Sequence, residues 1–411
     1  MGTVDTGDTA FVLLCAALVC LMTPGLAFFY GGLVRRKNVL AIMMQSFISM
    51  GVVTVIWVLF GYSLSFGRSM GGVIGGLEHW GLRGVGGAPA GIDAYGRTIP
   101  FLVHFGYQEM FAVITPALIT GAFADRVTFK AYLAFLVGWS VLVYVPLVHW
   151  IWNPGGFLAR RGVVDFAGGA VVHASAGFAA LASVFVVGRR RIRSGEAAVP
   201  HNIAFVALGT GLLWFGWFGF NAGSALGANA LAATAFVNTD IAGSVAMVTW
   251  LALSRMRESK PSMVGALTGA VAGLACITPA AGYVRPWAAA VIGMAAGAVC
   301  YGAVIFRQKR GWDDALDVWG CHGVGGVLGI VLTGVFAAKA VNGTSGLLEG
   351  NVSQFGWQCA AAAIAAGYSF LVTIVLLKVV DRFTPVRVPD DVEDTGLDEA
   401  LHGEKAYDLA G

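Results

Sequence analysis

The stretch DFAGGAVVHASAG at residues 165–177 decides the fold, together with its counterpart DVWGCHGVGG at residues 317–326. Each stretch begins with an aspartate and then carries a histidine among apolar residues, His173 in the first and His322 in the second. Ionisable residues in membrane-spanning segments are energetically costly, so they usually line a pathway or pair with one another. Two such segments, about 150 residues apart, predict an internal repeat whose halves meet around a central site.

The composition around these stretches indicates a chain that lies in lipid. Of the 411 residues, 57% are hydrophobic and only 12% are charged, and the mean hydropathy is +0.75. A soluble domain of this size cannot bury so much apolar surface. Within a bilayer only helices and closed barrels satisfy their own backbone, and long continuous apolar runs favour helices. The prediction is an all-α integral membrane protein.

Eleven apolar runs are long enough to span a bilayer as helices, which takes about 20 residues each. They cover residues 8–34, 39–66, 99–124, 129–151, 165–187, 202–222, 232–254, 262–280, 286–306, 317–338 and 355–380. The two histidine segments fall in the fifth and tenth runs. Helices one to five therefore pair with helices six to ten, and an odd number of spans per unit makes the repeat inverted. The eleventh helix is an addition.

The loops between these runs alternate in charge. Of the 26 Lys and Arg residues, 19 lie in one set of loops and in the tail, and 7 lie in the opposite set. Loops rich in basic residues remain in the cytoplasm. The chain is therefore expected to be a multi-pass protein of the cell (inner) membrane, with its amino terminus outside the cell and its carboxyl terminus in the cytoplasm. The net charge of +3 mostly reflects these loops, so no nucleic-acid partner is expected.

The chain is expected to comprise a membrane domain, residues 1–383, followed by a polar and acidic cytoplasmic tail, residues 384–411. The tail is too short for an independent domain. Its helix-forming stretch DEALHGEKAY is expected to pack on the basic loop at Arg189–Arg193 by charge complementarity.

Aromatic residues on single helix faces indicate what the site could bind. They are Tyr107 and Phe111 on the third helix, Trp152 at the end of the fourth, and Trp217 and Phe220 on the sixth, where Ser224 continues the same face. Taken singly, each could belong to an interfacial belt or to core packing. Together with two buried histidines, aromatic faces and a hydroxyl suit a small, weakly hydrated cation.

Other classes of site find no support in the sequence. The six cysteines lie in apolar runs without metal-ligand spacing, and there is no nucleophile–base set or phosphate-binding loop after a strand. We therefore expect no enzyme activity, no metal and no cofactor.

Several motifs in one order resemble the ammonium transporter (Amt/Rh) family, in its bacterial or archaeal Amt form, along residues 8–410. They are TPGLAFFYGGLVRRKNVL (23–40), MFAVITPALITGAFADR (110–126), DFAGGAVVH (165–173), WFGFNAGSALGANA (217–230), ITPAAGY (277–283), DVWGCHGVGGVLG (317–329) and TGLDEALHGEKAY (395–407). The resemblance implies an eleven-helix homotrimer with one pore per subunit. It also implies a trimeric PII-type signal protein as a partner at the cytoplasmic face, with a contribution from the tail.

The same resemblance implies roles for individual residues. These are an outer substrate-binding vestibule of Tyr107, Trp152 and Ser224, a gate of Phe111 and Phe220, a pore pair of His173 and His322, and supporting positions at Asp165 and Trp217. Tyr107 stands where bacterial members often have Phe, and its hydroxyl adds a hydrogen-bond donor and acceptor to the vestibule. Asp240 in the seventh helix departs from the expected neutral or weakly basic residue, and it is expected to face the bundle as a paired or protonated carboxylate.

The function implied is transport of ammonium and methylammonium: recruitment of the cation, deprotonation and conduction through an apolar twin-histidine pore. Two alternatives remain at this stage. One is an ammonium-sensing receptor that conducts weakly, and the other is a channel for a different neutral gas. The net transported species, ammonia or ammonium, does not follow from the residues.

Overall fold

Eleven apolar helices dominate the computed structural model, which describes residues 3–191, 199–257 and 260–407. Ten are long and apolar enough to cross a membrane, and the eighth is shorter. They are α1 (Thr6–Leu33), α2 (Arg36–Phe66), α3 (Phe101–Ala122), α4 (Phe129–Trp152), α5 (Gly169–Val187), α6 (Ile203–Ala225), α7 (Ala230–Arg257), α8 (Met263–Ile277), α9 (Pro286–Arg310), α10 (Trp319–Phe336) and α11 (Val352–Phe383). The predicted all-α membrane fold is confirmed, and each helix overlaps its predicted run.

The remaining elements are short and lie between or after the helices. They are the antiparallel strands β1 (Ser69–Met70) and β2 (Ile74–Gly75) and the helical turns Trp80–Leu82, Asp93–Tyr95, Ala159–Arg161, Lys339–Asn342, Leu347–Glu349, Asp390–Thr395 and Asp398–His402. With eleven helices the chain begins at one face, here called the amino-terminal face, and its tail lies at the other, here called the tail face.

Polar side chains mark where several helices begin. Asp5, Asn202, Ser262 and Asn351 each accept a hydrogen bond from a backbone N–H three residues later, at 2.8–3.0 Å. Such N-caps satisfy backbone donors that have no partner within the helix. Loop residues therefore define the boundaries of helices whose interiors are too uniformly apolar to define them.

The two halves of the chain pack as an inverted repeat. A Cβ added at Gly32 of α1 would meet Val206 at the start of α6, and one added at Gly219 near the end of α6 would meet Leu18 and Cys15. Residue numbers therefore rise in α1 as they fall in α6, so the two helices run antiparallel in close contact. The small glycine surface permits this approach between membrane helices.

Helices α5 and α10 repeat this arrangement at the centre of the bundle. A Cβ added at Gly177 would lie 2.0 Å from the backbone of Gly323, and one added at Gly326 would lie 2.5 Å from the nitrogen of Ala174. These helices too are antiparallel, and the lack of side chains at the crossing brings their histidine-bearing turns together.

Both central helices begin with a π-helical turn, Gly169–Ala174 in α5 and Trp319–Gly323 in α10. A π turn inserts one residue into an α-helix and often occurs at a functional site. His173 lies in the first π turn and His322 in the second. Because each helix begins part-way through the bundle, the preceding residues 163–168 and 311–318 form irregular loops inside the protein.

Helix α8 also ends inside the bundle, before the predicted limit of 280. Pro279 ends it, since proline has no N–H for the helix ladder. The turn that follows is satisfied by α7: the Asn238 side-chain amide donates to the carbonyls of Ala281 and Val284, both at 2.8 Å. Irregular backbone at membrane depth is tolerated where protein surrounds it.

The expectation for Asp240 is wrong. Asn238 and Thr239 are fully buried on the inward side of α7, which directs Asp240 outward, and its side chain is exposed on the helix surface rather than facing the bundle. Successive residues of an α-helix diverge by about 100°, so these neighbours cannot all face inward.

Candidate functional site

A small cavity opens near the amino-terminal face between α3, α4 and α6. Trp152, Phe111 and Ser224 line it together with His104 and Gln108. The structure thus brings two of the three predicted vestibule residues together with one predicted gate residue. His104 and Gln108 lie one helical turn apart on the face of α3 that also carries Phe111. Neither residue was assigned a role from the sequence.

Tyr107, the third predicted vestibule residue, is buried beside this cavity. Its hydroxyl lies 2.9 Å from the carbonyl oxygen of Gly219, 2.7 Å from that of Phe220 and 3.2 Å from the hydroxyl of Ser224. Its single proton is therefore directed at carbonyls at the end of α6. The hydroxyl ties α3 to α6 and positions Ser224, which itself donates to the Phe220 carbonyl.

Two stacked phenylalanines close the floor of the cavity. The ring centroids of Phe111 and Phe220 are 4.1 Å apart with planes inclined by 30°, and both side chains are 1% exposed. Trp152 meets the Phe111 ring edge to face at 5.8 Å. This separation leaves no room for a molecule between the rings.

The histidine pair lies directly beyond this stack. The Nδ1 atoms of His173 and His322 are 3.3 Å apart, and the two rings are nearly parallel, inclined by 24°. The His173 ring also lies 6.0 Å from that of Phe220. The structure therefore places the two predicted pore residues in hydrogen-bond contact across the α5–α10 crossing.

The space beside the pair is lined almost wholly by apolar side chains. Besides the two histidines and the rings of Trp217 and Phe220, the lining residues are Met22, Leu26, Phe29, Ile114, Leu118, Val172, Leu213 and Val271. Moving a bare cation into such surroundings costs several kcal/mol or more, whereas a neutral molecule avoids this penalty.

Thr278 connects the pair to the predicted supporting residue Trp217. Its Oγ1 atom lies 3.3 Å from His173 Nε2 and 2.9 Å from Trp217 Nε1, and it donates to the Leu274 carbonyl at 2.7 Å. Thr278 immediately follows α8 and keeps helical dihedral angles, so its hydroxyl projects from the end of that helix towards His173 and Trp217. Thr278 was not predicted as a site residue, although the motif ITPAAGY contains it.

Asp165 caps the beginning of α5. Its two carboxylate oxygens accept hydrogen bonds from the backbone N–H groups of residues 168–171 at 2.6–3.2 Å. Its own carbonyl accepts from Trp152 Nε1 at 2.8 Å. The carboxylate thus fixes the π turn that carries His173 and, through the backbone, the vestibule tryptophan.

The repeat equivalent of Asp165 is Asp314 and not Asp317. Asp314 accepts a hydrogen bond from the Trp319 N–H at 2.7 Å at the start of α10, and it precedes His322 by the same eight residues that separate Asp165 from His173. Asp317 instead adopts a left-handed backbone (φ 58°) and lies 2.5 Å from Arg307. The predicted pairing of Asp165 with Asp317, which rested on the similar stretches DFAGG and DVWGC, is therefore wrong.

Comparison with known proteins identifies the family of the chain. The profile of the Ammonium Transporter Family matches residues 10–407. The chain belongs to the ammonium transporter family.

Relatives of this family are similar over nearly their whole length. The ammonium transporter of Bacillus subtilis is 48% identical over 404 residues, covering 98% of either chain. The ammonium transporter Amt1 of Archaeoglobus fulgidus is 44% identical over 401 residues, covering 98% of this chain and 99% of the other. The predicted family and its bacterial or archaeal form are confirmed.

Solved structures share the fold. Saccharomyces cerevisiae Mep2 has a TM-score of 0.91 at 35% identity and covers 99% of this chain and 93% of its own. A structure described as a sensor Amt protein has a TM-score of 0.88 at 27% identity, covering 96% and 98%. The fold is therefore shared by proteins described in different functional terms.

At the tail face of this ammonium transporter family member, the loop before α10 is held by ion pairs. Arg190 donates to Asp313 at 2.7 Å, and the fully buried Arg126 donates to the Asp313 carbonyl at 2.6 Å. Burial opposes ionisation of Asp313, but the hydrogen bonds and charge of Arg190 outweigh it and lower the pKa of this carboxyl to about 2. The loop that leads to His322 is thus anchored by charge.

The tail packs on the same face. The buried Glu393 accepts from the Arg191 N–H at 2.6 Å and from the Arg387 guanidinium at 2.7 Å. Asp398 accepts from the Ala41 N–H at 2.8 Å in the first turns of α2. The predicted contact between the stretch DEALHGEKAY and the basic loop is not what the described residues show: Arg191 meets Glu393 and Asp390, which precede that stretch. The stretch itself packs through Asp398 on the beginning of α2, and Arg193 lies outside the described residues.

Proposed function

We propose that this protein is a membrane transporter that recruits ammonium at the amino-terminal face and conducts it through the histidine pore. The observation that carries the proposal is the stacked pair Phe111–Phe220 between an aromatic vestibule and a hydrogen-bonded histidine pair, in a chain of the ammonium transporter family. Several relatives are described as ammonium transporters.

Recruitment uses the electron-rich faces of aromatic rings. Trp152 and Phe111 attract a cation, worth about 0.5–2 kcal/mol each, and the Ser224 oxygen can accept one of its N–H groups. Potassium and sodium offer no N–H donor to Ser224. The cost of removing their hydration shells at the gate is therefore offset by fewer contacts than the cost for ammonium, which can donate a hydrogen bond to Ser224.

Conduction beyond the gate favours a deprotonated passenger. The space beside the histidines is apolar, so an ammonium ion there loses its hydration without a counter-charge. A neutral imidazole offers one acceptor and one donor nitrogen, so the pair can take a proton and share it. The passenger moves as ammonia while the histidines handle its proton.

The same proposal includes orientation, assembly and control. The amino-terminal face lies outside the cell and the tail face in the cytoplasm, supported by the excess of basic residues at the latter. Three copies assemble with one pore each. Residues 384–411 act as a regulatory tail that takes part in binding a PII-type protein, supported by their contacts with the basic loop at Arg191.

A sensor that binds ammonium but conducts weakly is the second candidate, because a sensor Amt protein shares the fold. One experiment separates the two. Purified protein in liposomes is given an inward ammonium gradient while current and internal pH are recorded together, and potassium replaces ammonium as the control.

A transporter gives flux well above protein-free liposomes with ammonium and methylammonium, and none with potassium. Binding without flux favours the sensor, and potassium flux at ammonium-like rates contradicts the proposed gate. The ratio of charge to proton movement identifies the net transported species.

A further inference from the structure

We infer that Thr278 sets the tautomers of both pore histidines and so leaves Nε2 of His322 as the bare, proton-accepting nitrogen of the pair. Thr278 is thus a positioning residue that acts through His173. The inference deepens the proposed function, and its meaning for conduction rests on that function, but the tautomers themselves are measurable without any transport.

The Thr278 hydroxyl has a single proton to donate. A carbonyl oxygen can only accept, and Thr278 Oγ1 lies 2.7 Å from the carbonyl of Leu274, one helical turn earlier. The hydroxyl proton is therefore directed to Leu274. When the O–H of a threonine donates a hydrogen bond, the oxygen still has two lone pairs that can accept hydrogen bonds.

The two lone pairs are taken by the two nitrogens that approach Thr278. The indole Nε1 of Trp217 can only donate, and it lies 2.9 Å away. The remaining neighbour is Nε2 of His173 at 3.3 Å. Since Thr278 has no second proton to offer, His173 must donate, and its Nε2 carries the hydrogen.

The tautomer of His322 follows from that of His173. A neutral imidazole carries one N–H, so protonation at Nε2 leaves Nδ1 of His173 as an acceptor. The facing Nδ1 of His322, 3.3 Å away, therefore donates to it. His322 has then used its only N–H, and its Nε2 is bare, with no hydrogen-bonding side chain among the described residues recorded against it.

The resulting chain has one direction. His322 Nδ1–H donates to His173 Nδ1, and His173 Nε2–H donates to the Thr278 oxygen. The Thr278 oxygen also accepts from the Trp217 indole, and its own O–H donates to the Leu274 carbonyl. Hydrogen bonds in such a buried chain polarise one another, which reinforces the order. A proton from the substrate can be accepted only at the free end, His322 Nε2, while His173 holds its partner in place.

Nitrogen NMR of the full-length protein in lipid, labelled with 15N-histidine, tests the inference. At alkaline pH both imidazoles are neutral, and protonated and bare ring nitrogens have well-separated shifts. The scalar coupling across the N–H···N bond identifies the pair among the seven histidines. The expected spectrum has the protonated Nδ1 on His322, coupled to the bare Nδ1 of His173. Correlations from each imidazole to its own backbone, in a uniformly 13C- and 15N-labelled sample, assign the two coupled rings to their residues.

Variants at Thr278 separate positioning from mere packing. Thr278→Val keeps the shape but removes the acceptor, so the coupled pair should show both orders in comparable amounts. Thr278→Ser keeps the hydroxyl and should restore the single order. Trp217→Phe removes an N–H that only donates to Thr278, so the Thr278 hydroxyl still donates to Leu274 and the order of the pair should stay unchanged. If the Val variant does not fold, Thr278→Ala provides the same test with less bulk.

The inference is overturned if the wild-type pair shows the opposite order, or if the Val and Ala variants keep the wild-type order alone. A failure of the proposed function is a separate result. Absence of ammonium flux from liposomes would overturn transport while leaving the NMR spectrum of the pair as expected.

Discussion

Each pore histidine is held by contacts that its own sequence neighbourhood does not reveal. His173 and His322 come from helices 149 residues apart and meet because Gly177 and Gly323 allow α5 and α10 to touch. The pair then depends on a third helix, α8, for the Thr278 hydroxyl. The contact between the two imidazoles is therefore a tertiary feature, and the proposed role of the pair in proton transfer rests on this contact.

Replacing either histidine by alanine should abolish proton-linked ammonium transport while the protein stays folded. His173→Ala or His322→Ala removes one half of the N–H···N bond, and neither alanine offers a proton acceptor. The measurement is internal pH in liposomes under an ammonium gradient. His79→Ala, outside the pore, is the matched control and should transport normally. Normal transport by both pore variants would contradict the twin-histidine mechanism.

Loss of the Asp165 carboxylate should be more damaging than loss of a histidine. Asp165→Ala leaves four buried N–H groups without their acceptor, and each unsatisfied donor costs about 1–3 kcal/mol. We expect little folded protein by detergent size-exclusion chromatography. Asp165→Asn keeps one oxygen and should retain part of the folded yield. Equal, wild-type-like yields from both variants would show that the cap is dispensable.

At the scale of helices, periodicity predicted the existence of all eleven elements but not their internal irregularities. The π turns around His173 and His322 each insert one residue, and no residue type marks such an insertion. The early end of α8 could have been expected from Pro279, but the amide of Asn238 that satisfies the following turn is a tertiary contact. Local sequence cannot specify which distant side chain satisfies a broken helix.

The same limit explains what was and was not foreseeable at the site. Motifs in the right order indicated which residues would meet, and the structure brings Phe111 and Phe220, and the two histidines, together as predicted. Hydrogen bonding was not foreseeable: the Tyr107 hydroxyl is directed to α6 carbonyls. Asp314 was overlooked because a similar-looking aspartate, Asp317, lies three residues later.

The loop that leads into α10 should lose stability in acid. Burial opposes ionisation of Asp313, but its contacts with Arg190 and Arg126 lower the pKa from 3.8 to about 2 on folding, so the charged carboxylate contributes about 2 kcal/mol wherever it is ionised in both states. A lowered folded pKa means that this contribution is complete above 3.8 and disappears as the pH falls towards 2.

Thermal unfolding in detergent as a function of pH measures the effect. The free-energy difference between the wild type and Asp313→Asn should stay constant from neutral pH to about pH 5 and shrink steadily below it. The exposed Asp391, replaced by Asn, is the control and should show almost no difference at any pH. A difference for Asp313→Asn that does not change with pH would contradict the ion-pair assignment.

At the scale of the whole molecule, the tail joins parts of the tail face that are distant in sequence. It contacts the loop after α5 through Glu393 and the beginning of α2 through Asp398, while Leu397 donates to the Asn38 side chain at 2.8 Å. The loop after α5 also carries Arg190, which anchors the loop before His322. A protein that binds the tail face thus meets a surface connected by a few polar contacts to the pore helices.

Deleting residues 385–411 should therefore change both transport and its regulation. The deletion exposes the Arg191 loop and the beginning of α2, so we expect altered ammonium uptake in cells and weaker binding of a PII-type protein to the purified transporter.

Asp398→Ala, which breaks one buried contact while keeping the chain, should reproduce part of the effect. Asp391→Ala, in an exposed position of the tail, should not. The eleven membrane helices remain intact in the deletion, so the truncated protein should still elute as a folded species from a size-exclusion column. Unchanged uptake together with unchanged PII binding in the deletion would reduce the tail to an inert extension.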